Sequence, residues 1–210
     1  MEKGYELKRK KVSFKNFIVK NKTLVILMIS LILGIVSGSL LLKNADESTK
    51  NYINILFLNN FKPEIKVLPW SIFVSSVSST FIFIIMIFFM GLSAWGFVLI
   101  PFIPVLRGLC IGFCEGYLYS SFGIRGLIFH LVVLFPGIIL SSLAIILMSK
   151  EAMKISYNIS STIFLDEHRK DSRDILRSYI MRTGCVMIII VISSVVDLIF
   201  NLLFSGLFFK

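Results

Sequence analysis

Residues 23–42 form an unbroken run of twenty residues without a charged side chain. As an α-helix such a run is about 30 Å long, which matches the hydrocarbon thickness of a bilayer. The run is longer than the apolar core of a signal peptide, and no cleavage site of the A-x-A type follows it. It therefore predicts a retained membrane-spanning helix, and we interpret the rest of the sequence as that of a membrane protein.

Composition extends this conclusion to the whole chain of 210 residues, of which 56% are hydrophobic and only 16% charged. That much apolar surface cannot be hidden in one water-soluble core. The net charge of +10 would suggest nucleic acid as a partner of a soluble protein. Here the basic residues bracket apolar runs, as membrane orientation requires, so the predicted partner is the lipid bilayer and no nucleic acid is expected.

Apolar runs alternate with polar segments in a pattern that predicts an all-α, polytopic membrane helical bundle of about five transmembrane helices. Pro101 and Pro104 should break the start of the third helix. One membrane domain, 23–208, is expected, with a basic cytoplasmic tail 1–22, spans 23–42, 71–94, 97–119, 126–149 and 183–208, an extracytoplasmic loop 43–70 and a cytoplasmic amphipathic segment 150–182.

The distribution of basic residues predicts how this bundle is oriented. Eight lie in residues 1–22 and seven in residues 150–182, whereas six lie in the segments assigned to the opposite side. Since basic residues accumulate on the cytoplasmic side, we expect a multi-pass protein of the cell membrane. Its N-terminus should be cytoplasmic and its C-terminus extracytoplasmic.

Glycines are concentrated between residues 107 and 136, which hold five of the thirteen in the chain. On a helix, residues at every fourth position form a narrow stripe, and a stripe without side chains lets a second helix approach at backbone contact. A turn near residues 120–126 should make the region a glycine-faced helical hairpin. The predicted helix-packing residues are Gly34, Gly38, Gly108, Gly112, Gly116, Gly123 and Gly126.

Three ionisable residues are predicted to lie inside the membrane, where a charge is costly and is expected to face protein. Asp197 is either a proton or ion relay or, as the more favoured interpretation, a packing residue. Arg107 is its natural partner, with snorkelling toward the inner headgroups as an equal alternative. For Glu115, an interior polar contact is favoured over catalysis.

Residue patterns for enzymatic or metal chemistry are weak. His130 has no ligand partners at metal-binding spacing except the pair Cys110 and Cys114. Ser141 and Ser142 would need a nucleophile turn around them to act as an intramembrane hydrolase with His130, and none is present. No phosphate loop, zinc-protease motif or dinucleotide fingerprint occurs. The prediction is therefore a protein that is not an enzyme, with no catalytic, cofactor-binding or metal-binding residues.

The glycine-rich region also resembles a known family. Arg107-Gly108, Gly112-Phe113, Gly116, Leu118, Gly123, Arg125-Gly126 and Pro136 are similar to the signature of the stage II sporulation protein M family. Gly34, Gly38, Gly91, Gly96, Pro101, Pro104 and Asp197 fit the same pattern. The resemblance covers residues 24 to 205, and the polar segments 43–70 and 155–180 do not contribute to it.

The resemblance implies a non-enzymatic scaffold of the sporulating mother cell's membrane. Such a scaffold would recruit the cell-wall hydrolases called stage II sporulation proteins D and P for septal peptidoglycan remodelling and engulfment. A small transporter or channel that uses Arg107, Glu115 and Asp197 as a polar path is the alternative from another class. An inverted repeat with matched broken helices would favour it, and the sequence shows no convincing one.

Overall fold

The structure, a computed structural model, describes residues 21–43, 69–165 and 172–208. Most of the predicted basic tail and of the extracytoplasmic loop, and part of the cytoplasmic segment, lie outside these residues. The described residues form helices and short turns, which confirms the predicted all-α class. The elements are α1 (Lys22–Lys43), α2 (Pro69–Gly91), α3 (Gly96–Leu99), α4 (Phe102–Phe129), a π-helix (His130–Leu134), α5 (Phe135–Leu165) and α6 (Ser172–Phe208).

Four helices are long and apolar enough to cross a membrane: Lys22–Leu42, Phe73–Gly91, Gly96–Ile163 and Leu176–Phe204. The third of them is not straight. Gly123 has φ +59° and ψ −138°, a backbone conformation that glycine adopts without the steric cost other residues meet. The chain folds back there, so the bundle contains five membrane-length segments, in agreement with the predicted architecture.

The fold-back is seen directly in contacts between residues far apart in sequence. Arg107 donates a hydrogen bond to Ser141 over 3.0 Å, although 34 residues of straight helix would separate them by about 50 Å. We call residues 102–122 the first arm and residues 124–165 the return arm of this hairpin. α1 runs parallel to the first arm, because successive α1 residues from Gly34 to Leu42 meet successive positions between 105 and 116.

The main apolar core lies between α2, the return arm and α6. Its largest members include Ile84, Ile145, Met148, Tyr179 and Ile190, each at most 2% exposed. A smaller cluster joins the end of α1 to the turn of the hairpin. The outward faces carry many exposed large apolar side chains, as helices surrounded by lipid do.

The sharp turn between α2 and α3 is fixed by one serine of the return arm. Ser156 accepts a 2.7 Å hydrogen bond from Phe97 N–H and donates one of 2.6 Å to the carbonyl of Ser93. Beside this turn, Tyr179 stacks on Phe88 with ring centroids 5.2 Å apart and donates a hydrogen bond to the Phe88 carbonyl. These contacts bind the end of α2 to both long helices.

Both boundaries of the cytoplasmic segment predicted for residues 150–182 fall inside continuous helices. α5 continues to Leu165, and α6 already begins at Ser172. Ala152 and Tyr179 are buried in the bundle rather than arranged along a membrane surface. The physical reason is local: between Gly137 and Gly184 the sequence has neither glycine nor proline, so nothing interrupts either helix.

Candidate functional site

The glycine stripe of the first arm packs against the glycines of α1. A Cβ atom on Gly34 would lie 3.0 Å from Gly108 Cα, and one on Gly112 would lie 2.9 Å from Ser39 N. Gly38 and Gly108 are equally close to the backbone of the opposite helix. The two predicted stripes therefore meet each other within the chain, and the stripe of the first arm is not a free surface for a partner.

Three further glycines of the predicted set have different surroundings. Gly116 is looser, since a Cβ there would meet the Leu42 side chain at 3.2 Å. Gly123 provides the positive φ of the hairpin turn and has open space around it. Gly126 lies directly against the Leu118 carbonyl, which lets the return arm start in contact with the first arm.

Asp197 is held at the point where α2, α5 and α6 meet. Ser76 donates a 2.5 Å hydrogen bond to its Oδ2 atom. The carboxylate fills the space where a side chain of Gly137 would stand. One turn earlier on α6, the buried Ser193 donates a 2.8 Å hydrogen bond to the Gly137 carbonyl. From its place on α6, Asp197 thus contacts both α2 and α5.

Arg107 lies in the first arm and points toward the return arm and α2. Besides its hydrogen bond to Ser141, its guanidinium carbon lies 5.7 Å from the centre of the Phe83 ring, within the range of a cation–π interaction. Its buried Nε atom has no hydrogen-bond partner in the described chain. The side chain is therefore turned into the bundle.

Arg107 and Asp197, predicted as natural partners, do not form a direct ion pair. Both residues are described, and no nitrogen–oxygen distance between them is within 4.0 Å. Each instead has a serine as its direct polar partner, Ser141 for Arg107 and Ser76 for Asp197. A serine side chain is short, so it can reach a buried charge between closely packed helices.

Glu115 makes an interior polar contact, and its partner is His130. The Glu115 Oε1 and His130 Nδ1 atoms are 3.5 Å apart across the two arms of the hairpin. His130 begins the π-helix, and its side chain is almost completely buried. Neither Ser141 nor Ser142 has a hydrogen bond to this histidine in the described residues, so the geometry does not bring a serine and a histidine together as nucleophile and base.

Several functional contacts had no recognised signal in the sequence. Gly137 follows Pro136 and lies outside the glycine stripe, yet it makes room for Asp197. The π-helix is a feature often found at functional sites. It can be recognised only from the three-dimensional course of the return arm. Ser76 lies in the serine-rich first half of α2, and no sequence pattern identified it as the partner of Asp197. Within the described ranges, no group of three His, Cys, Asp or Glu side chains is arranged to hold a metal ion.

These features define a polytopic, all-helical integral membrane protein whose intramembrane polar side chains connect its helices. Comparison with protein families gives a more particular result. Residues 5–201 match the family of stage II sporulation protein M, and the chain belongs to that family, as the sequence resemblance predicted. Comparisons with curated proteins and with solved structures found no match.

Proposed function

We propose that the protein is a non-enzymatic membrane scaffold that recruits cell-wall hydrolases during sporulation. Family membership supports a role in sporulation. The structural observation that carries the proposal is that Arg107, Glu115 and Asp197 each contact a polar side chain on another helix of the same chain. Intramembrane charges used in this way hold a bundle in one shape, and a scaffold needs a fixed shape to present binding surfaces.

The hydrolases recruited would be stage II sporulation proteins D and P, and the processes served would be septal peptidoglycan remodelling and engulfment. In this proposal the N-terminus is cytoplasmic and the hairpin turn at Gly123 faces the extracytoplasmic side, where peptidoglycan lies. The charge asymmetry of the sequence supports that orientation. α1 and the first arm, joined by glycine contacts, would form the rigid half of the scaffold.

The test is co-purification of a tagged chain from sporulating cells at native abundance. We expect both hydrolases to be recovered with the wild-type protein. Gly184→Ala is a suitable control variant that should leave this recovery unchanged, because a Cβ atom added there meets nothing within 4 Å. Failure to recover either hydrolase with the stably inserted wild-type chain would contradict the recruiting role.

A transporter or channel is the alternative, and the unpartnered Nε atom of buried Arg107 is the observation that favours it. The two functions differ in what they require of Asp197. A scaffold should tolerate Asp197→Asn, because the amide oxygen can still accept the hydrogen bond from Ser76. An ion or proton path needs the ionisable group. Complementation of sporulation by Asp197→Asn would support the scaffold, and its failure at normal abundance would support transport.

A further inference from the structure

Glu115 and His130 form a titratable pair inside the bundle. Glu115 lies eight residues before the turn at Gly123 and His130 seven residues after it. The two side chains meet across the hairpin, with Oε1 and Nδ1 3.5 Å apart. The histidine side chain is 3% exposed and the glutamate side chain 30% exposed, so only the glutamate can be reached from outside the bundle.

Among the lysine and arginine residues whose side chains the structure describes, which leaves out Lys43, none forms an ion pair with Glu115 within 4.0 Å. Arg107 is two helical turns away along the first arm, about 12 Å, and its direct contacts are with Ser141 and Phe83. On the hairpin, the titratable or charged residues nearest in sequence to the pair are Cys110, Cys114, Tyr117, Tyr119 and Arg125, while Lys150, Glu151, Lys154 and Tyr157 lie further along the return arm. Lys22 and Lys43 lie at the two ends of α1, and Asp197 lies in the second half of α6. Asp197 adds negative charge and cannot neutralise Glu115.

The charge of the pair depends on one proton. Without it, a carboxylate beside a neutral imidazole leaves a net negative charge in the membrane, which is costly. With it, the pair is neutral whichever of the two groups holds the proton. A neutral pair needs no further partner, so the surroundings favour the state in which one proton is bound.

The second nitrogen of His130 decides where that proton resides. The Nε2 atom is buried and has no hydrogen-bond partner in the described part of the chain. An imidazolium would leave a charged N–H group unpaired there, which costs more than a neutral one. We therefore expect the proton mainly on the carboxyl group of Glu115, which faces Nδ1 of His130 at 3.5 Å.

We propose that Glu115 and His130 form an intramembrane proton-binding site that joins the two arms of the hairpin. Glu115, the exposed member, takes up the proton, and His130 behind it accepts the hydrogen bond. The bound proton keeps the hairpin free of net charge at this level of the membrane. This role is independent of hydrolase recruitment, since it requires only the hairpin itself.

Infrared spectroscopy of the purified full-length protein in lipid nanodiscs tests the site, because a protonated carboxylic acid has its own carbonyl stretch. At neutral pH we expect such a band in the wild-type protein and a shift of that band when glutamate is labelled with ¹³C, which separates it from aspartate. Glu115→Gln should remove the labelled band completely. His130→Gln should retain the band but move its frequency, because the hydrogen-bond acceptor has changed.

Glu151→Gln is the matched control. Glu151 forms an ion pair with Arg182, so its replacement should leave the protonated band unchanged. A wild-type spectrum without a glutamate-dependent protonated band would overturn the proposal, and so would a band that persists in Glu115→Gln. If Glu115→Gln fails to fold, the wild-type labelling experiment still tests the proposal, because the absence of a glutamate-dependent band overturns it.

Discussion

Replacing Gly112 by alanine should destabilise the protein through a single added methyl group. Its Cβ atom would lie 2.9 Å from Ser39 N, and ordinary contact begins at 3.4 Å, so α1 would have to move away by at least 0.5 Å. The atoms that it meets belong to the backbone of α1 and cannot rotate aside. In a membrane, no hydrophobic force replaces the close contacts that are lost.

The size of the expected loss of stability in Gly112→Ala follows from two opposing effects. Overpacking typically costs about 1 to 3 kcal/mol, and backbone contact places Gly112 at the upper end of that range. The better helix propensity of alanine returns about 1 kcal/mol. The net loss of about 2 kcal/mol corresponds to a thermal midpoint lower by about 4 to 8 °C for a chain of this size.

Two other glycines make this a graded experiment. Gly184 has nothing within 4 Å of an added Cβ atom, so Gly184→Ala should raise the midpoint through helix propensity alone. Gly116→Ala should fall between the two, because it meets only the movable Leu42 side chain at 3.2 Å. The assay is thermal aggregation of the detergent-solubilised variants at matched concentration. Equal midpoints for Gly112→Ala and Gly184→Ala would refute the packing argument.

Three further predictions concern polar residues and topology. Alanine substitution of Arg107 and Asp197, singly and together, should show a coupling below about 3 kcal/mol, the lower end for breaking a buried ion pair; a larger coupling in thermal unfolding would mean that they pair directly. Ser156→Ala should destabilise the protein by about 1 to 3 kcal/mol, because it leaves Phe97 N–H unpaired and removes one of the two hydrogen bonds to the Ser93 carbonyl; an unchanged midpoint would contradict this. Impermeant thiol reagents should label a cysteine at Asn51 from outside the cell but not one at Ser172, and outside labelling of the latter would reverse the proposed orientation.

Local sequence signals predicted the helices and the hairpin because these depend on near neighbours. The charge-free length of residues 23–42 is sufficient to predict a membrane-length helix. Similarly, Ser120, Ser121 and Gly123 predict a turn before the next apolar run begins. The ends of α5 and α6 were less predictable, because polar residues after Ser149 change the surroundings of a helix without breaking it.

The partner of each helix face could not be predicted in the same way. The spacing of Gly108 and Gly112 defines a face without side chains, but it does not specify which helix covers that face. Two outcomes fit the sequence equally well: a helix of another protein, or α1 of the same chain. The structure shows α1, since Gly34 and Gly38 lie at matching heights in a parallel helix.

The partners of the polar side chains were even harder to predict from the sequence than the partners of the helix faces. Glu115 and His130 are fifteen residues apart, a spacing that places them about 22 Å apart on a straight helix. Only the reversal at Gly123 brings them within 3.5 Å, so their pairing depends on one backbone conformation. A substitution that removes the positive φ at Gly123 should therefore separate the pair without altering either side chain, which makes the turn and the pair a single unit of the fold.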